Sequence, residues 1–294
     1  MSGPDTGSAD TGSADTGSSN PSASELDELR HLAVDIAFEA GSHAQAARSA
    51  LGPGKRAAHD TKSSAVDPVT QFDRETEALV VERLRSERPD DSIVGEEGAN
   101  HRGTNDFEWH IDPIDGTVNF VYDLPGWCTS IGLLHRGDPV VGAVYSPPLG
   151  DRDTALFSAA RGAGAWLGDD PIEVSTATDS TTSLVATGFS YHLDQHRVEQ
   201  AERIARVLPH VRDIRRMGSA ALDLAFVAAG RVDAYFEEFI SSWDVAAGVL
   251  IVREAGGIVT TFAGNELDVR APAGVLAAGH GLHDTLRKRI QTPS

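Results

Sequence analysis

The sequence predicts a layered α/β fold, with an antiparallel sheet in its first half and a mixed sheet in its second. Three observations lead there. Two helical patterns open the ordered part of the chain, short β-like runs separated by turn signals fill the middle, and strand and helix patterns alternate after about Thr178. Consecutive short strands joined by turns form antiparallel meanders, whereas alternating strands and helices place helices on sheet faces.

The opening segment repeats Asp5-Thr6-Gly7-Ser8-Ala9 through Ser18 and, Pro4 and Pro21 aside, has no apolar side chain larger than Ala between Gly3 and Ala23. It cannot offset its ordering entropy by burial, so residues 1–24 are expected to form a disordered tail. From Glu25 onward, Leu26, Leu29, Ala33, Ile36 and Ala40 recur at helical spacing, and Gly41 offers a stop. A loop is expected over Gly52 to Ser64. A second helix is expected from Thr70 to Ser86, where Thr70 and Asp73 match a capping pattern and Pro89 ends the run. Strands follow at Ser92–Val94, Trp109–Ile111, Thr129–His135, Val140–Tyr145, Ala155–Ser158 and Ala163–Leu167, an antiparallel meander punctuated by turns such as Arg136-Gly137-Asp138-Pro139.

The second half reads as strands at Leu184–Thr187, Val211–Arg215, Ala234–Phe236 and Ile258–Thr261. Between them come helices at Gln195–Leu208, Ser219–Ala229 and Asp244–Ala255, the last two closed by Gly230 and Gly256. The chain thus divides into a tail (1–24), a first α+β half carrying most of the acidic motifs (25–178) and a second α/β half completing the site (179–294).

With 294 residues, 40% of them hydrophobic, the chain can bury a substantial core. Its formal net charge of −19 disfavours nucleic acid and anionic membrane surfaces as partners. The same field repels a phosphate ester unless bound cations reverse it locally, a mild argument for metal; general solubility or adaptation to a salty habitat accounts better for most of the excess. Cys128 is the single cysteine, which excludes an intrachain disulfide and fits a reduced cytoplasm. Between Trp127 and Thr129 it reads as a buried structural thiol. The N-terminus lacks a signal-peptide layout, and the best apolar run, Ala220 to Ala229, is short and broken by Asp223. The eleven His residues show no metal spacing, and Lys55-Arg56 fits no phosphate-binding loop. Arg215-Arg216 either supports a carboxylate or an interface, or is a surface pair.

The chemistry centres on Trp109-His110-Ile111-Asp112-Pro113-Ile114-Asp115-Gly116-Thr117. A strand runs into two carboxylates three positions apart, in a turn where Pro113 fixes φ and Gly116 opens backbone geometry closed to other residues. Such a turn can aim both acids and the Ile114 carbonyl at one hard cation. The amides of Gly116 and Thr117 then face an anion at the start of a helical turn. Taken alone, the segment is also a common surface turn. It is accompanied by Gly95-Glu96-Glu97 at a strand end, by Asp73 at one helix start and by Asp244 at another. Asp73 and Asp244 taken singly fit the bland reading of helix caps.

These motifs, in this order, resemble the inositol monophosphatase family of lithium-sensitive, Mg²⁺-dependent phosphatases: Gly95-Glu96-Glu97, Asp112-Pro113-Ile114-Asp115-Gly116-Thr117 and Trp243-Asp244, with Lys62, Asp67 to Asp73 and Gly218-Ser219-Ala220 in support. The resemblance spans roughly Glu25 to Gly279. It implies an αβαβα sandwich, a homodimer, and a small-molecule phosphate ester as substrate. It further implies two to three Mg²⁺ ions: one on Glu96, Asp112 and the Ile114 carbonyl, one on Asp112, Asp115 and Asp244, and a weaker third near Glu96. Asp73 and Thr117 would orient the attacking water, and the Gly116 and Thr117 amides would hold phosphate. Val118-Asn119-Phe120 after Thr117 resembles the branch acting on inositol 1-phosphate. In that branch Gly218, Ser219, Ala220 and Glu237 would meet the polyol; a solvated acid beside Glu238 is the other reading of Glu237. Histidinol phosphate, fructose 1,6-bisphosphate and a nucleotide 3′-phosphate are the alternative substrates within the family. A regulatory, protein-binding role is the alternative outside catalysis.

Overall fold

The computed structural model describes residues 20–62, 68–190 and 195–291. Most of the expected tail (1–19) and Asp67 lie outside the described residues. In chain order the first half contains α1 (Ala23–Ala50), β1 (His59–Thr61), β2 (Pro68–Thr70), α2 (Gln71–Glu87), β3 (Ser92–Gly95), β4 (Asn100–His101), β5 (Phe107–Asp115), α3 (Thr117–Tyr122), β6 (Cys128–His135), β7 (Asp138–Tyr145), α4 (Arg152–Ala155), β8 (Leu156–Ala160), β9 (Gly164–Leu167) and β10 (Asp170–Pro171). The second contains β11 (Leu184–Thr187), α5 (Gln195–Val207), β12 (Asp213–Arg215), α6 (Ala220–Ala228), β13 (Ala234–Glu238), α7 (Ser242–Glu254), β14 (Ile258–Thr260), β15 (Gly274–Ala278) and α8 (His283–Ile290).

These elements stack in five layers. An eight-stranded sheet has the order β10-β9-β8-β7-β6-β5-β3-β4, and a five-stranded sheet the order β12-β11-β13-β15-β14. Strand alternation assigns the faces. Trp109 and Ile111 of β5 join Ile131, Leu133 and residues of α1 and α2 in one core. The intervening residues His110 and Asp112 therefore face the other way, toward α6 and α7. That middle layer shares a core with both sheets, through Leu134 and Val144 on one side and Tyr235 and Val275 on the other. The outer face of the smaller sheet packs Phe236 and Leu276 against Leu282, Leu286 and Ile290 around α8. Glu237 follows Phe236 and so shares the inward face of Tyr235.

Helix α7 lies unusually close to the large sheet. Gly132 and Gly142 are directly paired on β6 and β7. A Cβ at Gly132 would come within 2.5 Å of Ala246 Cβ, and one at Gly142 within 2.6 Å of the Ala247 carbonyl oxygen. The bare strand surface lets the helix backbone approach, which fixes the position of its first turn relative to β5.

Several expectations need correction. Gly41 does not end the first helix, which runs on to Ala50. A Cβ there would sit 2.6 Å from Tyr145 Cδ1, so the glycine serves helix–sheet contact and not termination. The helix also begins earlier, at Ala23, with Ser22 accepting the Glu25 N–H at 3.2 Å, so residues 22–24 belong to the ordered fold. The loop expected over Gly52 to Ser64 contains β1, which pairs antiparallel with β2. The meander holds from β5 to β10, but β3 joins β5 in parallel. The second sheet is mixed as expected, with β11 parallel to β12 and β13, and β15 antiparallel to β13 and β14. Among the described residues, no helix is long and apolar enough to cross a membrane.

Candidate active site

The local geometry of Asp112 to Asp115 comes from a bulge. Asp112 pairs with Ser130 and Asp115 with Cys128, so three steps on β5 oppose two on β6. In a regular strand, residues three apart point to opposite faces; the extra residue turns both carboxylates to the same side. Gly116 then adopts φ +94°, a left-handed conformation that starts α3 at Thr117. Helix α7 supplies the third acid. Ligand oxygens of Asp112, Asp115 and Asp244 all lie within 4.8 Å of one another.

Each acid is held by a bond that leaves part of it free. Asp112 Oδ1 accepts the Ile114 N–H at 3.0 Å. Asp115 Oδ2 accepts from the Ser219 hydroxyl at 2.6 Å and the Ala221 N–H at 2.7 Å. Asp244 Oδ2 accepts the Ser241 N–H at 2.6 Å. The helix-cap reading of Asp244 is thus refined: Ser241 is the N-cap, and Asp244 is the N3 acid of a capping box. One oxygen serves the helix and the other serves the site. Asp73 is used the same way. Its Oδ2 accepts the Thr70 N–H at 2.7 Å, while Oδ1 accepts from the Thr117 hydroxyl at 3.2 Å. That hydroxyl also lies 3.1 Å from the Ile114 carbonyl oxygen.

The crowded acids resist ionisation. Burial pushes Asp112 well above the usual carboxylate range, and the charges of Glu96, Asp115 and Asp244 push it further. Burial and then Asp115 and Glu96 do the same to Asp244. Burial lifts Asp115 to about 6, against the opposing hydrogen bonds from Ser219 and Ala221. Buried Glu96 Oε2 has no hydrogen-bond partner. A low-dielectric cluster of oxygen ligands with an orphaned acceptor fits a hard divalent cation, which supplies the positive charge the side chains lack.

Lys62 is the neighbouring cation. Its Nζ lies 2.8 Å from Glu96 Oε1 and 2.5 Å from Glu97 Oε1. Burial pulls its pKa down, but Glu96 and Glu97 outweigh burial and hold it raised. Glu77 braces the same turn, accepting the N–H groups of Glu97 at 2.8 Å and Ala99 at 2.9 Å.

The acids open onto a cavity of about 340 Å³, lined by Glu96, Asp115 and Asp244 at one end and by Gly218, Ser219, Ala220 and Glu237 beyond. Burial lifts Glu237 to about 7, although the Tyr235 hydroxyl donates to its Oε2 at 2.7 Å. It is half-buried and forms part of the cavity wall. Gly188 makes room for it: a Cβ there would fall 1.8 Å from Glu237 Oε2. Of the expected site residues, Glu96, Asp115, Gly218, Ser219, Ala220, Glu237 and Asp244 line this cavity, whereas Asp73, Asp112, Ile114, Gly116 and Thr117 adjoin the acidic cluster without lining it. Arg216 lines the cavity and Arg215 pairs with Asp213 on the exposed edge strand, so the two arginines have separate surroundings. Cys128 is buried, and its Sγ lies 3.3 Å from Ser219 Oγ. The Ser219 proton goes to Asp115, which leaves the thiol as the donor in that pair. Burial raises its pKa well above the usual value, as suits a structural thiol.

The structural roles of Glu77, Gly188 and Asp223 are not foreseen from sequence, whereas support of a carboxylate is one of the readings of Arg216, whose charge acts on Glu237 and Asp223. Glu77 had a signal: it lies one helical turn beyond Asp73 on the buried stripe of α2. Asp223 had one too, as an acid inside an otherwise apolar helix.

Residues 25–292 match the model of the inositol monophosphatase family. An inositol-1-monophosphatase of Mycobacterium bovis is 41% identical over 286 residues, covering 91% of this chain and 95% of that one. Nus factor SuhB of Salmonella typhimurium is 44% identical over 199 residues, covering 67% and 73%. The crystal structure of extragenic suppressor protein suhB from Bartonella henselae superposes with a TM-score of 0.83 at 32% identity, covering 91% of this chain and all of that one. The bulged acidic strand end, the third acid from α7 and these likenesses agree: the chain is a phosphatase that belongs to the inositol monophosphatase family.

Proposed function

We propose that the protein hydrolyses inositol 1-phosphate to inositol and phosphate, using Mg²⁺ held by Glu96, Asp112, the Ile114 carbonyl, Asp115 and Asp244. The observation that carries this reading is the meeting of Asp112, Asp115 and Asp244 within 4.8 Å at the end of a polar cavity. When bound, Mg²⁺ neutralises the phosphoryl oxygens and activates a water for in-line attack.

The chain's own residues do the positioning. Thr117, with its proton directed to Asp73 Oδ1, presents an oxygen lone pair to the attacking water and orients it. The Gly116 and Thr117 amides hold a phosphoryl oxygen. Glu237 accepts a hydroxyl of the leaving alcohol, while Gly218, Ser219 and Ala220 shape the wall beside it. The carboxylates act as ligands and not as nucleophiles. Inhibition by Li⁺, assembly as a homodimer and a cytoplasmic location complete this reading, supported by the family membership.

Phosphate release from inositol 1-phosphate, histidinol phosphate, fructose 1,6-bisphosphate and a nucleotide 3′-phosphate, measured side by side with Mg²⁺, tests the substrate. The highest kcat/KM is expected for inositol 1-phosphate; a higher value for another ester overturns that assignment. A second reading, a role exercised through a protein partner, is supported by the likeness to Nus factor SuhB. The cellular phenotype of a folded, inactive Asp112→Asn protein separates the two: retention of the wild-type phenotype supports the partner role.

A further inference from the structure

Asp223 stands on the inward face of α6, one turn beyond Ala220, and both residues line the cavity. It is 1% exposed, and its Oδ1 has no hydrogen-bond partner. An unsatisfied buried carboxylate oxygen costs about 1–3 kcal/mol or more, so its presence calls for a compensating role. Helix capping does not supply one, because the N-cap of α6 is Ser219. The acidic cluster does not either: Asp223 is not part of the group in which Asp112, Asp115 and Asp244 bring their oxygens together.

The charges around Asp223 define what it can bind. Burial pushes its pKa well above the usual range, Glu237 and Asp115 add to this, and Arg216 opposes it. Arg216 lines the same cavity and influences Glu237 as well. A wall of two carboxyl groups and one guanidinium suits a neutral ligand rich in hydroxyl groups, since each hydroxyl can donate to a carboxylate oxygen without adding charge. Although Arg216 lies in the same wall, no donor bonds to Asp223 Oδ1.

We propose that Asp223 is a specificity-determining residue whose unpartnered oxygen accepts a second hydroxyl of the substrate alcohol, beside the hydroxyl held by Glu237. The cavity thereby selects a polyol with at least two free hydroxyls and not a simple alcohol. This inference rests on the polyol-phosphatase reading above and assigns it a residue that the sequence motifs did not.

The test compares kcat/KM for inositol 1-phosphate and cyclohexyl phosphate in wild type, Asp223→Val and Asp223→Leu, with melting temperatures for all three; neither substitute carries an acceptor. Cyclohexyl phosphate has the ring and the ester but no free hydroxyl. The loss on inositol 1-phosphate should exceed the loss on cyclohexyl phosphate by about 10- to 100-fold, as for removal of a hydrogen-bond acceptor from a buried recognition site. Both variants should melt at or above the wild-type temperature, because an unsatisfied buried acid has been removed. A residue with a purely structural role would instead lower both activities together, and would lower the melting temperature. Equal losses on the two esters, or an undiminished preference in the variants, overturn the assignment of Asp223 while leaving the polyol reading intact. If wild type does not prefer inositol 1-phosphate to cyclohexyl phosphate, the polyol reading and this subsite fall together. Should Asp223→Leu prove unfolded, Asp223→Val, which also lacks an acceptor, decides.

Discussion

His110 Nδ1 lies 2.8 Å from Ser242 Oγ, so β5 and α7 are joined two residues before Asp112 on one and two residues before Asp244 on the other. The other ring nitrogen, Nε2, lies 2.9 Å from Glu108 Oε1, which accepts from Arg270 Nε at 2.8 Å. A buried strut thus sets the spacing of two acids that come from distant parts of the chain. Ser242→Ala should leave the imidazole nitrogen unsatisfied and cost about 1–3 kcal/mol. It should also weaken Mg²⁺ binding measured by calorimetry, and Ser242→Thr should restore both. Wild-type Mg²⁺ affinity in the Ala variant would show that the acids hold their spacing without the strut.

Close approach of α7 to the large sheet gives a second prediction. At Gly142 a Cβ would meet the Ala247 carbonyl oxygen at 2.6 Å, a backbone atom with no freedom to rotate away. Gly142→Val should therefore destabilise the protein by about 1–3 kcal/mol through overpacking. It should also lower kcat, because the shifted helix carries Asp244. Urea unfolding with phosphate-release kinetics measures both, and an unaltered kcat in a destabilised variant would detach the helix position from the chemistry.

The raised carboxyl groups make a pH prediction for the chelated protein. A carboxyl whose folded pKa exceeds its unfolded value binds more protons in the folded state, so stability falls as pH rises. Asp115 moves from 3.8 to about 6, and Glu97 and Glu237 each move from 4.5 to about 7. The contribution is complete below about pH 4 and is lost as pH rises through about 6 to 7, with Asp112 and Asp244 extending the loss upward. Melting temperature in EDTA should decline between pH 5 and pH 8, against a weaker decline in saturating Mg²⁺. An identical slope in both buffers would contradict a cation site on these acids.

Much of the acidic cluster was legible in sequence because its residues are placed by short-range geometry. Pro113 and Gly116 mark the turn that aims Asp112 and Asp115, and Thr70 with Asp73 marks a capping box that the structure contains. The remainder depends on contacts between distant segments. Gly41 looks like a helix stop until Tyr145 is placed against it. Strand β15 is buried on both faces and so lacks alternation, and α8 shows only His283, Leu286 and Ile290 as its buried stripe. Asp223 registered only as an interruption of an apolar run, because its place beside Glu237 arises when α6 packs against β13.

Asp112→Asn separates charge crowding from catalysis. The acid lies between Glu96, Asp115 and Asp244, so removing its charge relieves repulsion in the metal-free protein. The variant should melt higher than wild type in EDTA, by about 2–4 °C for each kcal/mol gained. Its kcat should fall by several orders of magnitude, since the lost interactions act in the transition state. A lower melting temperature in EDTA would mean that Asp112 supports the fold through contacts other than those described.

Phosphate release from inositol 1-phosphate by chelator-treated protein, followed as Mg²⁺ is added back, tests the central claim most directly. Turnover should be absent in chelator and should rise with Mg²⁺ to saturation, as required if Asp112, Asp115 and Asp244 form a cation-dependent catalytic centre. Full turnover in chelator, with no response to added Mg²⁺, would contradict it.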